Sequence, residues 1–221
     1  MGSVLGIVYR AIASYLINQA GFTVATAQTG AVTLIQRFGS ALNLNVHYHM
    51  LFLDGVYLDT DAGPCFRRVK APTPAALDGL LHTIRERIAR HLERRGLLVR
   101  DLEGGYLALD SGDDSTLDEL RGHSITYRIA LGPHAGRKAF TLQTLPSSGD
   151  DERSAARANG FSLHAAVVAA VDERGKLERL CRYITRPAVS TERLSLTTQG
   201  YVHYQLKTPY RDGTTHVAFE P

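Results

Sequence analysis

Hydrophobic and polar positions recur with two different periods along this chain, and the shorter period comes first. Residues 31–38 (AVTLIQRF) and 46–53 (VHYHMLFL) are rich in bulky, β-favouring side chains and predict two neighbouring strands. Asp54-Gly55 marks a turn out of the second strand into Val56-Tyr57-Leu58, and Cys65–Val69 (CFRRV) predicts a short basic strand. The helical period shows first at Leu5, Val8, Ile12 and Leu16, the apolar stripe of an N-terminal packing helix. It returns after Thr73-Pro74, where a capping Thr followed by Pro starts a helix that should run to about Arg95 and stop at Gly96. Leu77, Leu80, Leu81, Ile84, Ile88 and Leu92 form its buried stripe. Arg85, Arg87, Arg90, Arg94 and Arg95, with Glu86 and Glu93, cover the rest, which suits a solvated face and leaves a DNA-facing one as the other reading.

The second half reads less regularly. Residues 101–121 are acidic and polar and predict a loop with a short helix around Leu117–Leu120. Residues 123–145 alternate well enough for two strands joined across a Gly-Pro-His-Ala-Gly turn, with Arg137 and Lys138 beside it, and 146–160 predict a second polar loop. The apolar run FSLHAAVVAAV (161–171) is strand-like and carries His164. Residues 175–184 (GKLERLCRYI) predict a helix whose buried side is Leu177, Leu180, Cys181 and Ile184, closed by Arg186-Pro187. RLSLTT, a Gln199-Gly200 turn, YVHYQLKTPY, an Arg211-Asp212-Gly213 turn and THVAFEP predict a closing strand meander. Together these elements predict an α+β fold, a mostly antiparallel sheet with packed helices.

Composition adds bounds. At 221 residues with 44% apolar content, the chain is long enough for one well-buried domain with a small appendage. Two distant cysteines, Cys65 and Cys181, form no CxxC and indicate neither a zinc knuckle nor a disulfide framework, so a cytoplasmic location is expected. The opening apolar run lacks a preceding basic residue and is interrupted by Arg10, so no membrane span is expected. Arg outnumbers Lys 21 to 4. The planar Arg fork suits phosphate, although a GC-rich coding sequence favours Arg equally.

Candidate chemistry centres on His47-Tyr48-His49. In a strand the two imidazoles project from one face, roughly 7 Å apart along the chain, with Tyr48 on the other. Such a pair can share a metal ion; a strand face that merely carries two histidines reads the same way. Farther on, Tyr183 sits among Arg179, Arg182 and Arg186. A phenol with an ordinary pKa of about 10 needs nearby positive charge or a metal-polarised target to act as a nucleophile, and Tyr183 beside Ile184 also suits simple packing.

HYH on a strand after GAVTLIQRFGSALNLNV, then RLCRYITRPAVS, then YQLKTPYRDGTTHV, resembles the HUH rolling-circle transposases of bacterial insertion sequences. The resemblance covers nearly the whole chain from Leu5, with the motifs in the family's order. It implies residues 1–29 as a packing helix and linker, and 30–221 as an HUH-type nuclease domain that is incomplete at its C terminus. It further implies His47 and His49 as ligands of a divalent ion, Mg²⁺ or Mn²⁺, and Tyr183 as the nucleophile that forms a 5′-phosphotyrosine link with single-stranded DNA at insertion-sequence ends. Gln36 and His164 are the candidates for a third ligand, and Arg179, Arg182, Arg186, Lys207 and Arg211 for the DNA backbone. Many relatives carry a second tyrosine one turn before the nucleophile, where this chain has Arg179. The family's cysteine-rich N-terminal segment is missing and the C-terminal tail is short, which makes a catalytically inactive, DNA-binding remnant the main rival. A metal-dependent oxygenase or hydrolase would want an acidic ligand on the strand pair, and Asp54 lies beyond it, at the turn. A purely structural α+β protein is the remaining alternative.

Overall fold

A computed structural model of the chain describes residues 2–38, 44–100, 105–107, 155–158, 161–187, 189–209 and 213–219. Among these the fold is α+β, with three α-helices and short sheets whose order follows the sequence closely. The chain divides into two interleaved compact units. The first holds residues 1–32, 50–113 and 145–168; the second holds 33–49, 114–144 and 169–221. The expected helix at Leu117–Leu120 and the strands expected between 123 and 145, with Arg137 and Lys138, lie outside the described residues.

In the first unit, α1 (Gly2–Gln19) packs on α2 (Pro74–Arg94) and on the sheet β1-β4-β5, formed by Ala27–Gln28, Gly55–Thr60 and Gly63–Arg68. Having two partners moves the buried face of α1. Ile7, Val8, Ala11, Ala13 and Ile17 are buried, while the expected Leu5, Ile12 and Leu16 are only partly so. Ile17 meets Ala27 and the fully enclosed Val56 (0% exposed), with Leu16, Phe22 and Leu58 around them. The stripe on α2 is as read from its period, with Leu92 only half-buried. The Thr73 hydroxyl caps the helix by accepting from Ala76 N–H at 3.2 Å, and Gly96 leaves it at φ 68°. Leu77 and Leu81 pack on Ala156 and Leu163.

Those last two residues belong to a hairpin the sequence pattern missed, β8 (Ala155–Ala158) with β9 (Phe161–His164). Residues 155–158 form a strand, not the tail of a polar loop. The strand-like run also ends at His164: residues 165–170 are irregular, and Val171 is 99% exposed. Within the expected acidic loop, β7 (Gly105–Leu107) pairs with β6 (Leu98–Arg100).

The pair β2 (Ala31–Phe38) and β3 (Leu44–Phe52) matches the expected strands. So short a connection permits only antiparallel pairing. Its base belongs to the first unit and the remainder, with the two histidines, to the second. At the base Leu53 N–H donates to Gly30 O at 3.1 Å, and Tyr9 stacks on Phe52 at 5.6 Å. The second unit also contains α3 (Arg174–Ile184) and the meander β10-β11-β12 (Leu194–Leu196, Val202–Gln205, His216–Phe219). Gly200 turns β10 into β11 at φ 87°, as Gln199-Gly200 suggested, and Tyr204 and Leu206 are buried. Of α3's expected buried side only Ile184 is buried; Leu177 and Cys181 are exposed and Leu180 is half-buried.

One close approach gives a direct check. A Cβ at Gly55 would run into the Arg67 carbonyl and the Phe66 ring across β4–β5. Gly55→Ala is expected to lose about 1–3 kcal/mol of stability in urea unfolding, the usual cost of forcing atoms into a packed position. An unchanged midpoint would show that the strands part easily there.

Candidate functional site

The period-two backbone of β3 puts His47 and His49 on one side of the strand pair, and the rings come edge to face with centroids 4.9 Å apart. Tyr48 alternates away from them, and burial pushes its phenol above its ordinary pKa. His47 Nδ1 lies 2.7 Å from the Asn45 backbone carbonyl, which can only accept. In the neutral ring Nδ1 therefore carries the proton and donates, which leaves the Nε2 lone pair for another partner. His49 is half-buried, and that desolvation, followed by the adjacent His47, lowers its pKa below the ordinary histidine value. Both effects favour neutral imidazole, the metal-ligating form.

The helix-borne phenol meets this pair within the second unit. The Tyr183 ring stands edge-on to His49 with centroids 5.6 Å apart and is 57% exposed, so it is not a packed core residue. Its neighbour Ile184, 6% exposed, is the buried residue of α3. Gln36 adds a second tie, its Nε2 donating to the Arg186 carbonyl at 3.2 Å, just beyond the helix. With Nε2 engaged, Oε1 is the atom Gln36 has left for an ion.

His164 lies on β9 in the first unit, opposite Ala155. Among the described residues no group of three or more His, Cys, Asp or Glu side chains could hold a metal ion, so the histidine pair needs an amide or water to complete a shell. Arg182 is held by Glu178 through two bonds of 3.0 and 2.7 Å, which leaves less of its charge for a phosphate. Arg179, Arg186 and Lys207 are exposed, and Arg211 lies outside the described residues.

Two features escaped sequence reasoning. The Asn45 carbonyl that sets the His47 tautomer is a backbone group, invisible to a motif. A second imidazole pair, His203 and His216 on β11 and β12, stacks face to face at 4.4 Å with 8° between planes. Lone pairs in parallel rings do not converge, so that stack is no ion site.

Two strand imidazoles facing a helix-borne phenol, on an α+β scaffold, define a candidate polar reaction centre with both metal-ligating and nucleophilic groups. A family model described as "Putative transposase" (Y2_Tnp) matches residues 30–221, and the chain belongs to that transposase family. A role in DNA transposition, and with it action on DNA, follows from that membership. No curated protein and no solved structure matches the chain. Among the described residues no helix is long and apolar enough to cross a membrane.

The tautomer is measurable. Ring ¹⁵N shifts at pH above the histidine range should show His47 protonated at Nδ1. A ring protonated at Nε2 would remove the lone pair assigned to an ion.

Proposed function

We propose that the chain is a single-tyrosine HUH-type transposase that cleaves and rejoins single-stranded DNA through a covalent 5′-phosphotyrosine. The observation that carries this reading is the 5.6 Å approach of Tyr183 to His49, itself 4.9 Å from His47. A divalent ion such as Mg²⁺ or Mn²⁺ would be held by the free nitrogens of His47 and His49, with Gln36 Oε1 the candidate for a third ligand. When bound, it would polarise a non-bridging oxygen of the scissile phosphate.

The chain's own groups do the rest. Tyr183 Oη gives up its proton and bonds to phosphorus, and the bond from phosphorus to the 3′ oxygen breaks. That oxygen takes a proton and leaves as a free 3′-hydroxyl, while the 5′ phosphate stays on the tyrosine. Because one phosphodiester replaces another, no nucleotide cofactor is needed, and an incoming 3′-hydroxyl reverses the step. Arg179 and Arg186 supply exposed positive charge near the phenol, with Arg182 shared with Glu178, and Lys207 and Arg211 continue the set. With Arg179 at the second-tyrosine position, each chain offers one nucleophile from this helix. Exchange of two strands then takes two copies or two successive rounds.

Incubation with labelled single-stranded insertion-end DNA and Mn²⁺ should yield a covalent adduct that Tyr183→Phe abolishes. Full adduct formation by the Phe variant would relieve Tyr183 of this role. His47→Ala combined with His49→Ala should slow metal-dependent cleavage by about 100-fold or more, since metal polarisation is worth several kcal/mol and each 1.4 kcal/mol is tenfold. DNA binding with no adduct under any condition would leave the inactive remnant as the reading.

A further inference from the structure

Within the first unit, α1 and α2 leave two open clefts, of about 600 and about 410 Å³, that share Arg10 and Arg87. Arg87, Arg90 and Arg94 recur at helical spacing along one face of α2, and Arg10 meets them from α1. All four are exposed, and Glu93 is the single carboxylate that lines either cleft. Arg90 and Arg94 each spend Nε on a carbonyl one turn back, at 3.3 and 3.2 Å, which braces the side chains while their terminal nitrogens remain to face a ligand. Like charges gathered this closely repel one another, and a polyanion relieves that repulsion.

The larger cleft adds a second and different signal. Buried Ala13 and Ile17 form its floor, and Ser14, Gln28 and Val24, the last 70% exposed, also line it. An apolar floor beside guanidiniums suits an unstacked base with its phosphates alongside, which a duplex does not offer.

We propose that the α1/α2 cleft is a second binding site for single-stranded DNA, built from residues other than those of the histidine–tyrosine centre, with the sugar–phosphate backbone on Arg10, Arg87, Arg90 and Arg94 and a base over the Val24 side. This rests on the proposed action on single-stranded DNA, and it assigns much of the affinity to residues with no part in the chemistry.

Fluorescence anisotropy on the full chain tests it, with a labelled single-stranded oligonucleotide across a range of NaCl. Arg87→Gln/Arg90→Gln/Arg94→Gln should weaken binding on the order of tenfold and flatten the log Kd against log salt slope by about 2, from roughly 0.7 per lost phosphate contact. Arg67→Gln/Lys70→Gln/Arg157→Gln removes equal charge from other exposed positions and should change binding far less. Equal losses in both triple variants, unchanged affinity in the first, or preference of the wild type for the same sequence as a duplex would each overturn the proposal. The Tyr183 adduct separates the two readings. Adduct formation with arginine-independent affinity sinks the cleft alone, whereas arginine-dependent binding without adduct sinks the nuclease and leaves the cleft standing.

Discussion

The candidate chemistry depends on how the last turn of α3 is seated. An 11-residue helix is marginal on its own, and this one buries a single residue, Ile184. The Gln36 bond to the Arg186 carbonyl ties the chain just past the helix to β2, and Ile184 is buried beside it; Tyr183 precedes both. A phenol one residue from a buried anchor has little freedom in its backbone, even though its ring is mostly open to solvent. Of the ties at this helix end, the Gln36 bond is the one that runs to the strand pair carrying His49. Loss of the Gln36 bond would be felt at the phenol before it was felt in global stability, since an exposed hydrogen bond contributes only about 1 kcal/mol.

Where a segment's environment is settled locally, the sequence was a good guide. β2 and β3 follow from alternation, and α2 follows from a cap, a stripe and a stop glycine that agree with one another. Reading failed where the partner decides the outcome. On α1 the period found an apolar stripe, but with a sheet on one side and α2 on another the buried set shifted to Ile7, Val8, Ala11, Ala13 and Ile17. On α3, of the side expected to be buried only Ile184 is; Leu177 and Cys181 stay exposed and Leu180 is half-buried. Residues 161–171 look uniformly strand-like, yet β9 extends only as far as the four residues of β8 pair with it. A strand needs a neighbour for its hydrogen bonds, and that neighbour was hidden in a stretch read as polar loop.

The candidate site divides along the same line. His47 and His49 on one face are a property of nine consecutive residues, and so were legible. The approach of Tyr183, and the Gln36 bond across 150 positions of sequence, are long-range and were accessible only through resemblance to a family. Membership of the transposase family, matched over 30–221, supports the reading of this region as one that works on DNA. The protonation pattern of the histidine pair could not be read from sequence at all, because it depends on a backbone carbonyl and on burial.

The distribution of arginines then takes on a mechanistic sense under the proposed reaction. Contacts that hold substrate and transition state equally tighten binding without speeding the chemical step. At the tyrosine helix Arg182 is already engaged by Glu178, which moderates the positive charge beside the phenol. On α1 and α2, four guanidiniums share one lining carboxylate. Under that proposal, attraction for the backbone by residues other than those at the reacting phosphate would hold the strand through cleavage without trapping the scissile bond in its ground state. A reversible transesterase gains twice from that division, because the strand that must later be resealed stays bound while the 3′-hydroxyl is free to leave and return.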